Sequence, residues 1–205
     1  MNISLALFAY NRPEYLKKAL RTHIKLDMRY YAFVDKSDKQ KEIIDIIHDS
    51  HLYDTVIVRQ EHLGLNENIR DGIDFVLDDN DAVIVLEDDL LLSSDALSWL
   101  KESLHFTDTV SLQEPDAKYP FRCWGWGMWK STWELIDWNL TPEEKNRDSW
   151  DVIVNENFKQ KKWFCKCPDK PKVKHIGNKG THFNYFSRFG IRKHLRRWGC
   201  CEKNN

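Results

Sequence analysis

The first hundred residues alternate between short apolar runs and segments whose apolar residues recur at helical spacing. The apolar runs cover residues 3–9, 30–34, 55–58 and 82–86, and each has the length and composition of a buried strand. The segments between them place leucine or isoleucine every three or four positions, which predicts helices. Strands separated by helices form βαβ units, so the pattern predicts an α/β fold with an open parallel sheet.

This regularity fades after about residue 107. Residues 107–125 are predicted to form loop and short strand, and residues 131–138 and 149–158 to form short helices. A basic terminal helix is expected over residues 188–198. Because no internal repeat or low-complexity linker divides the chain, a single domain spanning residues 1–205 is expected.

The composition predicts a globular protein with no membrane span and favours a location in the cytoplasm. Hydrophobic residues make up 41% of the chain, enough for a sizeable core, and no apolar run approaches the roughly 20 residues of a membrane span. The N-terminus lacks the features of a secretory signal, and the five cysteines show no disulfide framework, which favours the cytoplasm.

The basic residues are concentrated near the C-terminus. Residues 159–203 hold fourteen Lys and Arg against two acidic residues, although the net charge of the chain is only −1. This asymmetry predicts an anionic ligand, or an anionic membrane surface that binds the tail. The alternative is a solvated face packed against the acidic body. No nucleic-acid-binding motif accompanies the charge, so nucleic acid is not an expected partner.

Charged side chains follow three of the predicted strands. Arg12 follows the first, Asp35 the second, and Glu87, Asp88 and Asp89 the fourth. The carboxyl ends of parallel strands meet at one edge, where such sheets bind ligands. Crowded carboxylates there favour Mg²⁺ or Mn²⁺ bound with substrate phosphates, although a solvated capping turn is the alternative. A guanidinium beside a helix N-terminus suits a diphosphate, and a carboxylate after the second strand suits a base or ribose.

The second half contributes aromatic, acidic and histidine candidates. Residues 123–129 alternate glycine and tryptophan, which predicts a flat wall for sugar rings, with a core tryptophan cluster as the alternative. Asp151, beside Trp150, is a candidate general base. His182 ends a glycine-bracketed loop that is suited to wrapping phosphates or completing a metal shell.

Taken in order, these segments resemble nucleotide-sugar glycosyltransferases of the GT-A fold. LFAYNRPEYLKKAL resembles the opening strand and helix of that family, and AVIVLEDDLLLSSDAL resembles the segment with its DxD-type metal motif. CWGWGMWKSTWELIDW and VKHIGNKGTH resemble the acceptor-side segment and a late loop of bacterial sugar transferases. The acidic motif and the SWD segment are also similar to the eukaryotic N-acetylglucosaminyltransferase that begins complex N-glycan branching.

The resemblance implies roles for individual residues. On the donor side it implies metal binding by Asp89 with His182, ribose and nucleotide contacts by Glu87 and Asp88, diphosphate binding by Arg12, and base binding by Asp35. On the acceptor side it implies that Asp151 is the base of an inverting enzyme and that Trp124, Trp126 and Trp150 contact the acceptor. The SWDV sequence lacks the second Asp-Trp of the animal enzyme's WDDW.

The expected architecture is therefore a GT-A-type, Rossmann-like open sheet, mostly parallel and flanked by helices. Residues 1–106 would bind the nucleotide sugar, and residues 107–205 would form the acceptor side with the basic tail. The implied activity is Mn²⁺- or Mg²⁺-dependent transfer of a sugar from a UDP-sugar to a hydroxyl of a glycan, lipid-linked or protein-linked acceptor.

Two alternatives have different requirements. A non-catalytic carbohydrate-binding protein would use the Trp-rich segment and would need neither the acidic triplet nor Arg12. A nucleotidyltransferase would usually need a glycine-rich, lysine-containing loop after the first strand, which YNRPEY does not supply.

Overall fold

The chain folds around a six-stranded mixed sheet. A computed structural model describes residues 1–141 and 149–177. In chain order its elements are β1 Ile3–Ala9, α1 Pro13–Leu20, β2 Arg29–Val34, α2 Gln40–Ser50, β3 Thr55–Val58, α3 Gly64–Asp78, β4 Ala82–Glu87, β5 Leu90–Leu92, α4 Ala96–Leu104, β6 Thr109–Ser111, β7 Trp126–Trp129, α5 Lys130–Trp133, α6 Trp150–Lys161 and β8 Val173–His175. The strand order is β3-β2-β1-β4-β7-β6, and β5 pairs with β8 in a separate two-stranded sheet.

The four strands predicted in the first half form the parallel part of the sheet. β1 pairs in parallel with β2 and β4, and β2 pairs in parallel with β3. All seven residues of β1 are buried, and successive side chains enter opposite hydrophobic clusters, with Leu5 and Leu7 on one face and Ala6 and Phe8 on the other. The predicted α/β architecture is confirmed.

The second half of the Trp-rich segment, β7, is a core strand, in agreement with the alternative of a core tryptophan cluster and not with a wall for sugar rings. β7 lies between β4 and β6 and pairs antiparallel with both. A Cβ on Gly127 would come within 2.9 Å of Leu104 Cδ1 and 3.1 Å of the Val83 carbonyl oxygen. Glycine is therefore required here for close packing of strand and helix rather than for shaping a pocket wall.

The second half differs from the prediction in other helices and strands. The helix expected over residues 131–138 ends after one turn because the Asn157 side chain captures the backbone N–H and C=O groups of Asp137. α6 runs three residues beyond the predicted 149–158, and β5 and β8 were not expected. The expected helix over residues 188–198 lies outside the described residues, and the division of the chain near residue 106 stays a prediction. Within the described ranges, no helix has the length and apolar character needed to cross a membrane.

We predict that Gly72→Ala destabilises the protein, although this change inside a helix is ordinarily stabilising by about 1 kcal/mol. Gly72 lies in α3 against β1, and a Cβ there would come within 2.5 Å of Phe8 Cε1. The Phe8 ring is stacked on Phe33 with centroids 5.1 Å apart, so it cannot easily move aside. We expect urea unfolding to show a loss of about 1–3 kcal/mol.

The matched control for this experiment is Asp78→Ala, at the exposed end of the same helix. This control should change the free energy of unfolding by no more than about 0.5 kcal/mol. A Gly72→Ala variant as stable as the unmodified protein would contradict the close contact between α3 and β1.

Candidate active site

The ends of β1 and β4 bring together an arginine and two buried aspartates. Arg12, just after β1, donates from Nη2 to Asp88 Oδ1 at 2.5 Å and from Nη1 to Asp89 Oδ2 at 2.6 Å. Asp88 and Asp89 are each only 1% exposed. The Tyr10 backbone N–H donates to Asp88 Oδ2 at 3.2 Å. These sequence-predicted residues therefore meet at the edge of the sheet where ligands bind in open α/β folds.

The three adjacent carboxyl groups titrate differently because their surroundings differ. Burial, with the charges of Asp89 and Asp88, raises the pKa of Glu87 to about 8. Burial also raises the pKa of Asp88 to about 6, against the opposing charge of Arg12. Burial acts to raise the pKa of Asp89 as well, but hydrogen bonds and charge from His175 and Arg12 outweigh it and hold that pKa below its usual range. Asp89 is therefore the carboxylate of the triplet that is held most firmly ionised.

The β5–β8 sheet brings a histidine to the acidic triplet. Its register pairs Leu90 with His175, and His175 Nε2 lies 3.0 Å from Asp89 Oδ2. The Trp124 indole is stacked on the His175 ring with centroids 4.7 Å apart and planes 11° apart. The sequence analysis did not assign His175 to the site, because only the pairing of β8 with β5 reveals its position.

The glycine after β8 allows the chain to pass close to this charge cluster. A Cβ on Gly177 would fall 2.1 Å from Asp89 Oδ2 and 2.9 Å from Arg12 Nη1. Any other residue would collide with the ion pair. Gly177 opens the glycine-bracketed loop singled out in the sequence, whose His182 lies outside the described residues.

A divalent cation fits this site through Asp89. The Oδ1 atom of Asp89 is buried and has no hydrogen-bond partner in the structure, which is costly unless a cation or ligand group occupies it. His175 brings a second ligand type to this carboxylate, with its Nε2 beside the other oxygen, Oδ2. Across residues 1–141 and 149–177 no cluster of three or more His, Cys, Asp or Glu side chains is arranged to hold a metal. Phosphate oxygens and water would therefore supply the remaining ligands, as they commonly do for Mg²⁺.

The Asp35 carboxylate is buried in contacts with the loop between β3 and α3, and its expected contact with the base stays a prediction. It is 2% exposed, and its oxygens accept hydrogen bonds from the backbone N–H groups of Lys36, Leu63 and Gly64 at 2.8, 2.9 and 3.0 Å. Asp35 Oδ2 also lies 2.9 Å from His62 Nδ1. These four partners use its acceptor capacity, so Asp35 fixes the loop between β3 and α3.

The loop held by Asp35 presents an aromatic surface beside the site. His62 is half exposed and is stacked on Tyr10, with ring centroids 4.8 Å apart and planes 22° apart. Tyr10 follows β1 and is two residues from Arg12. The sequence analysis missed both rings, and no motif marks them. Their only sequence signal is that each lies in a loop between a strand and the helix that follows it.

Asp151 lies in the first turn of α6, on the Glu87 side of the triplet. Its negative charge is among the causes that raise the pKa of Glu87, so the two carboxyl groups share one electrostatic environment. Ser149 Oγ donates to Asp151 Oδ1 at 2.5 Å, and the Cys123 thiol donates to Asp151 Oδ2 at 3.8 Å. Asp151 is only partly buried. Of the two oxygens, Oδ2 has the weaker hydrogen-bond partner, because a thiol is a weak donor.

Two of the three tryptophans expected at an acceptor surface belong instead to the core. Trp126 is 0% exposed and Trp150 is 3% exposed, and their rings stack with centroids 5.5 Å apart. Phe121 packs edge-on against both rings. These contacts anchor the start of α6 to β7. Trp126 is buried because β7 is paired on both sides and α6 covers this face of the sheet. Of the three, only Trp124, partly exposed and stacked on His175, remains near the triplet.

The comparisons with known proteins identify the fold. No family model matches the chain, and no match was found among curated proteins. Among solved structures, the mannosyltransferase PcManGT from Pyrobaculum calidifontis, in complex with GDP-Man and Mn²⁺, matches with a TM-score of 0.64 and 13% identity. The match covers 95% of this chain and 61% of that one.

Two further solved structures show the same likeness. S. aureus TarS 1-349 matches with a TM-score of 0.59 and 12% identity, over 87% of this chain and 61% of TarS 1-349. A cytidylyltransferase from Leptospira borgpetersenii matches with a TM-score of 0.58 and 13% identity, over 96% of each chain. This chain therefore has the fold of nucleotide-sugar transferases, as its GT-A resemblance implied, and it spans about three fifths of the two longer structures.

We predict that Asp35→Asn destabilises the protein, because an amide cannot accept all of the N–H groups that the carboxylate now serves. Its NH₂ group would face a backbone N–H donor, leaving a buried donor without an acceptor. We expect urea unfolding to show a loss of about 1–3 kcal/mol.

Asp54→Asn is the control for Asp35→Asn. Asp54 also accepts a backbone N–H, from Tyr30, but its side chain is 46% exposed, so water can replace the lost partner. If Asp35→Asn left stability unchanged but weakened nucleotide binding, the loop-fixing role would be wrong and direct ligand contact would be supported.

Proposed function

We propose that the protein is a glycosyltransferase that moves a sugar from a nucleotide diphosphate, with UDP as the carrier, to an acceptor hydroxyl with the help of Mn²⁺ or Mg²⁺. The observation that carries this proposal is the buried, unpartnered Oδ1 of Asp89 beside the Arg12 guanidinium. A separate carboxylate, Asp151, lies close enough to Glu87 for its charge to act on that group. Arg12 and a cation at Asp89 can neutralise the departing diphosphate, and Asp151 can accept the proton of the acceptor hydroxyl.

The donor side of the reaction depends on Arg12 and Asp89. When the C1–O bond between sugar and diphosphate breaks, negative charge grows on the diphosphate. A divalent cation held by Asp89, with His175 nearby, would act as a Lewis acid toward that charge. Arg12 has five N–H donors and is part exposed, so it can hold both aspartates and still donate to a phosphate oxygen.

The acceptor side depends on Asp151. The acceptor oxygen would attack C1 from the face opposite the diphosphate and invert the configuration, while its proton passes to Asp151 Oδ2. Ser149 holds the other oxygen, Oδ1, which orients the carboxylate. Trp124 supplies an aromatic face close to the triplet on which a sugar ring could stack. The expected acceptor, a glycan, lipid-linked or protein-linked molecule, stays a prediction. The expected cytoplasmic location also stays a prediction.

Nucleotidyl transfer is the second candidate, supported by the likeness to a cytidylyltransferase over 96% of both chains. Such an enzyme must wrap a nucleoside triphosphate. Here only Tyr10, Asn11 and Arg12 separate β1 from α1, and none of them is glycine or lysine. This short connection favours glycosyl transfer. Burial of Trp126 and Trp150 likewise weakens the alternative of a carbohydrate-binding protein with a Trp-rich surface.

We predict that nucleotide diphosphates stabilise the protein in a metal-dependent way. A thermal-shift series with UDP, GDP, CMP and UDP-sugars, each with Mn²⁺ or with chelator, should give a shift for one diphosphate nucleotide that disappears on chelation. Binding at a hundredfold excess over Kd adds about 2.7 kcal/mol of stability. Asp89→Asn should abolish the Mn²⁺-dependent part of the shift, because it removes the anionic ligand.

Asp78→Asn, at an exposed position in α3, is the control for Asp89→Asn. Each variant is compared with its own ligand-free melting temperature, so that a change in stability is not mistaken for a change in binding. An undiminished shift for Asp89→Asn in Mn²⁺ would refute the metal role of Asp89.

We predict that Asp151→Asn keeps nucleotide-sugar binding but lowers the rate of sugar transfer by about 10²–10⁴, the usual contribution of a general base. Binding is read by the same thermal shift, and transfer by release of the nucleotide diphosphate. Asp169→Asn, at an exposed position, should leave both unchanged. Full transfer activity in Asp151→Asn would eliminate Asp151 as the base.

A further inference from the structure

We propose that the protein docks on anionic lipid bilayers through the sheet edge at the start of β6. This docking edge consists of Phe106, Phe164 and the neighbouring Lys162 and Lys166. Lys162 and Lys166 belong to the described part of the basic segment 159–203, and the proposal rests only on described residues.

The docking edge exposes two phenylalanines to water. Phe106 is 82% exposed and Phe164 is 74% exposed, more than any other large apolar side chain in the described part of the protein. Leaving a phenylalanine ring in water forgoes the stabilisation that its burial would give. Two such rings on one edge indicate a surface that is covered in the functional state.

Backbone pairing places both phenylalanines at the same end of β6. Lys166 bridges to Val110 in parallel, with its N–H donating to the Thr109 carbonyl at 3.0 Å and its C=O accepting from the Ser111 N–H at 2.9 Å. Phe164 precedes Lys166 by two residues and so lies beyond the N-terminal end of β6. Phe106 lies in the turn that enters β6 at that end.

Side-chain alternation places both rings on the same face of the sheet. Trp163 and Cys165 pack against the hydrophobic cluster that includes Trp126. The Lys166 ammonium reaches the other way, to within 6.0 Å of the ring centroid of Trp99 in α4. Successive residues of an extended segment point to opposite sides, so Phe164 shares the α4 side with Lys166. Phe106, two residues after the last residue of α4, is on that side too.

The charge of this region favours an anionic bilayer over the apolar pocket of a protein. Residues 159–166, which lead to and include the docking edge, contain four lysines and no acidic residue. Of these lysines, Lys159 forms an ion pair with Glu156, which leaves Lys161, Lys162 and Lys166. Glu102 and Asp108 flank Phe106, so these three lysines exceed the neighbouring acidic residues by one. Aromatic rings among lysines are typical of surfaces that bind in the headgroup region, where each lysine near an anionic membrane adds attraction.

The position of the docking edge determines how a bound molecule would face. β6 and β4 both pair antiparallel with β7, so they run in the same direction. The start of β6 therefore lies at the edge of the sheet opposite the end of β4, where Glu87, Asp88 and Asp89 are located. A molecule docked by Phe106 and Phe164 would keep its acidic triplet on the side facing the water.

Co-sedimentation of the full chain with vesicles tests this proposal. We compare phosphatidylcholine vesicles with vesicles containing about one quarter phosphatidylglycerol, at about 0.05 M and about 0.5 M NaCl, since salt screens surface charge. The unmodified protein should bind the anionic vesicles at low salt about tenfold more strongly than the neutral ones, and high salt should weaken that binding.

Variants of the full chain then locate the contact. Phe106→Ser with Phe164→Ser should lower the partition coefficient on anionic vesicles at least about tenfold, because two rings no longer enter the interface. Lys162→Glu, which keeps both rings, should weaken binding to anionic vesicles alone. The control is Phe75→Ser, which removes a half-exposed ring that packs on Tyr31 and Phe33 of β2, four strands away from β6. It should bind as the unmodified protein does.

Two results would overturn the proposal. The first is no binding of the unmodified protein to anionic vesicles at low salt. The second is equal binding by the unmodified protein and the double phenylalanine variant, which would assign membrane contact to another part of the chain. Circular dichroism of each variant verifies its fold, and the single variants Phe106→Ser and Phe164→Ser give the answer if the double variant does not fold.

Discussion

The architecture of the site depends on one buried ion pair, the contact of Arg12 with Asp88 and Asp89. Two carboxylates that are 1% exposed would be very costly beside one another without a cation. Arg12 supplies that charge from the first turn after β1, and in doing so it joins the ends of two neighbouring parallel strands. The chain after β8 passes so close to this ion pair that only glycine can occupy position 177.

The ion pair also explains why the three acids are not equivalent. Burial raises the pKa of Glu87, and because a single guanidinium cannot neutralise three carboxylates, the charges of Asp89 and Asp88 raise it further. Asp89 gains a second favourable partner in His175 and retains an oxygen with no partner. The local charge balance thus separates a protonated carboxyl from an ionised one within three consecutive residues. That separation, rather than the mere presence of acids, makes the edge suitable for binding a cation together with a phosphate.

The first half of the fold could be predicted from sequence because each of its strands is buried on both faces and its helices are amphipathic. The convergence of Arg12 with Asp88 and Asp89 follows from the same pattern, because parallel strands end at one edge. β7 could not be recognised, since a strand of Trp, Gly and Met has no alternating polarity and its partners lie far away in sequence. His175 was missed for a related reason, because its place depends on the pairing of β8 with β5. The contacts of Asp35 with the loop between β3 and α3 could not be predicted, because its partners are backbone N–H groups, which leave no sequence signature.

Tryptophans that are close together in the sequence lie partly in the core and partly at the site. Trp126, Trp150 and Phe121 form a rigid cluster that fixes the start of α6, and this cluster holds Asp151 near Glu87. Trp124 lies two positions from Trp126, yet it leaves the core to stack on His175. The glycine between them, Gly125, adopts a φ of +65°, a left-handed conformation that turns the chain between these two environments. In the Trp-Gly-Trp sequence, the indole of Trp126 therefore packs in the core and the indole of Trp124 lies at the site. The left-handed conformation of Gly125 makes these two different positions possible.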